Sequence, residues 1–325
     1  MFKAYASGAN GTVTPITKDE AAGKLRDGAG PVWIDISGDF EKHQDFLKDV
    51  IHIHPLSFED LMHTRMLPKV EEYDDYLFII LHDITLLDKV VGSGPGVKTH
   101  ELYIFLGKNF IVTMHKERVR SIDSHVDSPQ CLPHLFSQGA EAVMFSIIRK
   151  MIDNYFPMLE RVEARLDSSE DAIFESATSK DLQGILSIRK SIAKLRSIAT
   201  QQLDIVNRIV IGEFKIVSPH GLLLARDIYD HLYRVSEMVA FFRETTMGLL
   251  DAYLSEINNN MNQVIKVLTV IATLLLPLGV VVGFYGMNFK RLPGLDHPYG
   301  WLYMLIGLFT IMSTMLAWFR HKKWI

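Results

Sequence analysis

Cysteine occurs once in this 325-residue chain, at Cys131. That excludes an internal disulfide and leaves no thiolate cluster for zinc or an iron–sulfur centre. An excess of one charge is lacking as well: the formal net charge of −4 is too small to argue for nucleic acid, and no basic stripe is interleaved with aromatics. The chain has no Walker-type glycine loop and no Ser/His/Asp or Cys/His set at a recognisable spacing, so an enzyme is not expected. Residues 1–12 carry neither a basic start nor an apolar run; no signal peptide is expected, and the large N-terminal part is expected to stay in the cytoplasm. The most informative absence is local. Residues 267–289 and 297–319 contain no Asp, Glu, Lys or Arg.

As a helix, each of these windows would be roughly 35 Å long, enough to cross a hydrocarbon core of about 30 Å. The overall 48% hydrophobic content and mean hydropathy of +0.12 are high for a water-soluble protein, and the excess sits at the C-terminal end. The remainder, in a chain with 22% charged residues, reads as globular and water-facing. The division expected is a cytoplasmic α/β/α domain with long amphipathic helices over 1–215 and a stalk helix over 221–265. Two spans follow at 266–288 and 299–319, joined by an outer loop at 289–298, with a basic tail at 320–325. Arg320, Lys322 and Lys323 in that tail favour the inside. Two spans return the chain to the side it left, so both termini are expected in the cytoplasm of an inner-membrane, multi-pass protein. Lys290 and Arg291 in the loop oppose this mildly and are outnumbered.

Residues 30–117 alternate between strand-like and helical runs. Trp33–Ile36, Tyr76–Leu81, Leu102–Leu106 and Phe110–Met114 have strand length, and Gly107-Lys108-Asn109 reads as the turn of a hairpin. A helix is expected to start at Ser57, with Ser57 as its cap, and residues 90–96 read as a loop. The pattern predicts an α+β domain with a mixed sheet flanked by helices. From about residue 140 the apolar period becomes 3.6, predicting helices over 141–176, kinked at Pro157, and over 180–210. Ser218-Pro219-His220-Gly221 breaks the pattern, after which one very long helix is expected from Leu222 to Gly286. At 1.5 Å per residue it would be about 97 Å long, more than one domain core can bury, which predicts a bundle of identical stalks.

On the first span, steps of three or four from Asn262 give Ile265, Leu268, Ala272, Leu276, Gly279, Gly283 and Gly286. This face is small or aliphatic, with polar character only at its ends. By periodicity it is equally the packing face of a two-helix anchor, since small residues let helices approach in lipid. Pro277 removes one backbone donor from the span. At the exit stands Gly286-Met287-Asn288. Gly286 permits close backbone approach, and Asn288 offers a carboxamide oxygen. A ring of neutral oxygens suits a hard cation that keeps its water, as Mg²⁺ does, whereas a ring of carboxylates risks binding too tightly for release.

The triplet at the end of a C-terminal span, the preceding run Val264–Thr273 leading to Pro277, and the ending Lys322-Lys323-Trp324-Ile325 together resemble the CorA family of divalent-cation channels and transporters. The likeness extends back through Arg226-Asp227-Ile228-Tyr229-Asp230-His231 and Gly248–Leu254. It is strong over roughly 220–325 and diffuse before that. The resemblance implies a homopentamer in the lipid bilayer with a funnel-shaped cytoplasmic domain and a pore lined by the first span. Gly286, Met287 and Asn288 would form the outer filter, and Leu268 and Leu276 apolar constrictions. The implied cargo is chiefly Mg²⁺, with Co²⁺ or Ni²⁺ also candidates, driven by the membrane potential. A divalent ion gains about 4.6 kcal/mol per 100 mV, twice the single-charge value. Two departures stand out. Lys290 and Gly294 occupy positions where many relatives carry Glu, and Gly279 stands where a hydroxyl residue is common.

Asp227 and His231, four apart, share a helix face with Asp230 beside them, which by itself describes an ion pair with a neighbouring helix. The resemblance implies more: an aspartate of this kind pairs with a carboxylate of the adjacent subunit across a regulatory Mg²⁺. Asp88 is the first candidate for that partner and Asp83 the second. The nearest rival function is a zinc transporter of the ZntB branch, which shares the architecture; a membrane-tethered sensor or scaffold is another. His52 and His54 form a possible zinc pair on a strand, without a third ligand nearby. Glu71-Glu72-Tyr73-Asp74-Asp75 reads as a solvated turn.

Overall fold

The computed structural model describes residues 1–325 apart from 9–11, 29, 64–65, 88–95, 128, 289–296 and 325. The described chain divides into two compact units, Met1–Leu250 and Asp251–Ile325.

The first unit is organised by a seven-stranded mixed sheet. Its strands are β1 (Phe2–Ser7), β2 (Val13–Ile16), β3 (Val32–Ser37), β4 (Lys69–Glu72), β5 (Tyr76–Leu87), β6 (Gly96–Gly107) and β7 (Phe110–His115). Their order is β2-β1-β3-β7-β6-β5-β4, antiparallel except where β3 runs parallel to β7. The four apolar runs read from the sequence are β3, β5, β6 and β7, four of the five inner strands, and their lack of alternation follows from burial on both faces; the fifth, β1, was not read. Ile34, Ile36, Phe78, Phe105 and Val112 share one core with Ala21, Phe46, Leu47 and Leu61. Those four come from α1 (Lys18–Asp27), α2 (Gln44–Asp49) and α3 (Pro55–Met62). The intervening residues, such as Trp33, Leu77, Ile79, Ile104 and Ile111, are equally buried on the opposite face. The helices that follow are α4 (Arg120–Asp127), α5 (Leu132–Ser137), α6 (Ala140–Asp153), α7 (Phe156–Ser176) and α8 (Ser179–Val210); α6 packs on β3, β5, β6 and β7, and α8 on β4 and β6. The α+β expectation with a mixed sheet between helices holds.

Local chemistry sets several element ends differently from the sequence expectation. Helix α3 starts at Pro55, and the His54 Nδ1 atom accepts from the Leu56 amide at 3.2 Å. Ser57 is therefore not the cap; it is buried, within 3.1 Å of the Tyr76 hydroxyl. His52 lies outside any strand at φ 59°, so the imidazole pair on a strand does not exist. The expected helix over 141–176 is two helices. The chain turns at Asn154 and Tyr155, and Pro157 sits in the first turn of α7, where its missing N–H costs nothing. Gly96 begins β6, and the remainder of the expected 90–96 loop lies outside the described residues. Within residues 71–75, Glu71 and Glu72 belong to β4, and only Tyr73 to Asp75 form the connection to β5.

Helix α9 runs from Pro219 to Tyr285 and α10 from Gly300 to His321. Ser218-Pro219-His220-Gly221 is therefore the start of the long helix rather than a gap before it. The amide of Ser218 donates to Glu141 Oε2 on α6 at 3.0 Å, and the Gly221 amide donates to Ser218 Oγ at 3.1 Å. A Cβ at Gly221 would lie 2.6 Å from Glu141 Oε2, so the glycine is what admits this carboxylate to the helix N-terminus. In the second unit, α10 and the C-terminal part of α9 are each long and apolar enough to cross a membrane. Their hydroxyls bond within the helix: Thr269 Oγ1 donates to the Ile265 carbonyl and Thr273 Oγ1 to the Thr269 carbonyl, at 2.7 and 2.6 Å. Thr310 and Thr314 do the same on α10. Each of these four hydroxyl protons is thereby satisfied within its own helix.

Candidate ion pathway and stalk site

Within the apolar part of α9, residues 266–285, the least exposed positions are Val270, Leu274, Pro277, Leu278 and Val281. They recur every three or four residues and mark one shielded edge. Asn262, Ile265, Leu268, Ala272, Leu276, Gly279 and Gly283 all lie outside that edge and are exposed. A Cβ on Gly279 or Gly283 would meet nothing within 4 Å. The chain leaves this face open. Pro277 lies inside the helix and withholds the N–H that the Thr273 carbonyl would accept.

Helix α9 ends where the triplet begins. The Gly286 amide still donates to the Val282 carbonyl at 2.9 Å, and a Cβ on Gly286 would crowd that oxygen at 3.2 Å. Met287 and Asn288 follow beyond the last turn, both exposed. No hydrogen bond within the chain, among the described residues, engages the Asn288 carboxamide, so its oxygen is available to a ligand. Lys290, Arg291, Gly294 and Asp296 lie outside the described residues.

In the first unit, Asp227 on α9 is engaged by its own chain. Arg149 on α6 donates from Nη1 to Asp227 Oδ2 at 2.8 Å, and His231 Nε2 stands 4.0 Å from Oδ1. The sequence reading missed Arg149, which lies 78 residues away and carries no local signal. Asp83, the second candidate partner, is 1% exposed. It accepts from the Ile84 amide at 2.8 Å and from Ser121 Oγ at 3.1 Å, and burial pushes its carboxyl above the usual range. Its carboxylate is enclosed by its own chain. Asp88 lies outside the described residues. As a holder for a hard cation, the stalk site fits in part: Asp227 is half exposed and supplies the oxygen such an ion takes. Its oxygens, however, already face two nitrogen groups, and among the described residues no three His, Cys, Asp or Glu side chains group to hold a metal.

Known proteins share this chain's sequence pattern and fold. A family model described as "CorA-like Mg2+ transporter protein" matches residues 28–323. The chain is 30% identical over 292 residues to a putative metal ion transporter, YfjQ, of Bacillus subtilis, covering 90% of this chain and 89% of that one. It is 29% identical over 314 residues to the cobalt/magnesium transport protein CorA of Thermotoga maritima, covering 95% and 88%. A zinc transport protein, ZntB, of Pectobacterium carotovorum is 21% identical over 99% of this chain and 95% of its own. Among solved structures, the complete CorA magnesium transporter of Methanocaldococcus jannaschii superposes with a TM-score of 0.84 at 21% identity, over 100% of this chain and 99% of that one. The fold is shared from end to end.

Proposed function

Because this chain belongs to the CorA-like Mg²⁺ transporter family, we propose that it forms a homopentameric channel passing divalent cations, chiefly Mg²⁺, with Co²⁺ or Ni²⁺ as further cargo, through the membrane crossed by α9 and α10. One observation carries the reading. The Asn288 side chain, exposed at the end of an apolar span and without a hydrogen-bond partner among the described residues, offers a neutral oxygen where subunits can gather such oxygens into a ring.

The pore face runs from Asn262 to Gly286. A hydrated ion is selected at the Gly286, Met287 and Asn288 mouth through contact with its water shell, which avoids the cost of stripping Mg²⁺. Inside, Leu268 and Leu276 close the path by dewetting when the ring is narrow. The membrane potential drives the ion inward, with both termini in the cytoplasm. Lys290 and Arg291 near the mouth reduce the electrostatic gathering of cations there. A regulatory Mg²⁺ held between Asp227 and a carboxylate of the next subunit, with Asp88 as the candidate, would neutralise two acids that otherwise repel across the interface.

The test is uptake into liposomes containing the purified protein, comparing Mg²⁺ with Zn²⁺ under an imposed potential and, separately, a pH gradient. Potential-driven Mg²⁺ flux, suppressed by Mg²⁺ on the cytoplasmic side, is the expected result. Zinc flux that follows the pH gradient would instead place the chain with ZntB in function, and no flux of either ion would leave the spans as tethers of a sensor.

A further inference from the structure

Arg149 and Asp227 meet on two rigid helices. On α6, the neighbours Ile147, Ile148 and Met151 are buried, and on α9, Ile228 and Leu232 are buried. The register between these helices is fixed independently by Glu141, which holds the Ser218 amide at the start of α9. The guanidinium is therefore delivered to Asp227 Oδ2 at 2.8 Å by well-packed backbone, although both side chains remain about half exposed, at 54% and 50%. A second nitrogen group, His231 Nε2, stands 4.0 Å from the other oxygen.

A guanidinium cannot lose its proton at any physiological pH. A divalent cation approaching Asp227 thus meets a carboxylate already paired with a permanent positive charge. Either Arg149 stays, and repels the ion, or it leaves, and its ion pair is lost. Both routes weaken binding.

We propose that Arg149 is a tethered counter-ion that competes with the divalent cation for Asp227 and so sets the concentration at which the stalk site fills. The proposal rests on the reading of Asp227 as a regulatory ligand. It also changes what the metal-free state is. The carboxylate is not bare when the metal leaves; it returns to Arg149, which tempers repulsion between subunits and makes the switch an exchange of counter-ions.

The experiment is a Mg²⁺ titration of the thermal midpoint of the purified full-length protein in detergent, for the wild type and for Arg149→Gln, Arg149→Lys and Asp227→Asn. A ligand that binds only the folded state stabilises it by RT ln(1 + [L]/Kd), so the midpoint starts to rise as the ligand concentration passes Kd. Arg149→Gln is expected to respond at about two- to fivefold lower Mg²⁺, the factor that corresponds to an exposed ion pair. Arg149→Lys, which keeps the charge, is expected to stay near the wild type. An unchanged or higher response concentration in Arg149→Gln, with the response lost in Asp227→Asn, would overturn the counter-ion role and leave the regulatory reading standing. A drop in Arg149→Lys as large as in Arg149→Gln would assign the effect to packing and overturn the proposal. A wild-type response in Asp227→Asn would overturn both.

Discussion

His115 Nε2 lies 3.3 Å from Asp35 Oδ1, an ion pair whose two side chains are each 5% exposed, between the parallel strands β3 and β7. The Glu117 carbonyl takes the other ring nitrogen at 2.6 Å, and Thr113 Oγ1 donates to the same Asp35 oxygen at 2.7 Å. Burial disfavours the imidazolium, but Asp35 and the Glu117 carbonyl outweigh it, and the His115 pKa is raised above the ordinary histidine value. A pKa raised in the folded state means that the stabilisation is complete below the unfolded value, about 6.5, and is lost as pH rises through the folded value. The thermal midpoint of the protein is therefore expected to fall above pH 6.5, and His115→Gln is expected to flatten that part of the profile. A variant that keeps the full wild-type slope would assign the pH dependence elsewhere.

Glu141 anchors the start of the long helix, accepting from the Ser218 amide and hydroxyl. An acid at a helix N-terminus satisfies an orphan donor and complements the dipole. Glu141→Ala is expected to cost about 1–2 kcal/mol, which for a unit of this size lowers the thermal midpoint by about 2–8 °C. Ser218→Ala keeps the backbone bond and is expected to cost less. Equal losses in the two variants would mean that the hydroxyl, not the amide, carries the anchor.

The runs Trp33–Ile36 and Tyr76–Leu81 were legible as strands because central strands buried on both faces read as continuous apolar sequence. The edge strands were not. β4 reads Lys-Val-Glu-Glu and β2 contains Pro15; charge and proline belong on edges, where they block further pairing, and both weaken the strand signal. The spans and the triplet were legible because lipid imposes a composition over a long window. Arg149 was not, because a contact between residues 78 apart follows from the packing of α6 on the start of α9 and leaves no periodic trace.

The apolar constriction can be separated from the filter. Leu276 is exposed in the single chain and, on the proposed pore face, closes the path by excluding water rather than by a specific contact. Leu276→Asn puts a group there that holds water. It is expected to raise Mg²⁺ efflux from preloaded liposomes and to leave flux running when Mg²⁺ bathes the cytoplasmic face. If the residue instead faces lipid, the amide lies in hydrocarbon, the protein is destabilised, and no leak appears.

Asn288 has two substitutions that separate filtering from mere position. Asn288→Ala removes the oxygen from every subunit and is expected to cut Mg²⁺ uptake roughly tenfold, the factor for about 1.4 kcal/mol of lost stabilisation at the mouth. Asn288→Asp keeps an oxygen at the same place and adds a ring of charge. A channel needs sites that bind weakly enough to release, and Mg²⁺ parts reluctantly from its water. The aspartate variant is therefore expected to saturate at lower Mg²⁺ and reach a lower maximal uptake than the wild type. A scaffold whose spans only tether predicts that both substitutions are silent. A simple charged vestibule predicts that the aspartate variant conducts faster at every concentration. Only a filter acting through neutral oxygens predicts a loss of maximal uptake from both changes, with the aspartate variant alone saturating at lower Mg²⁺.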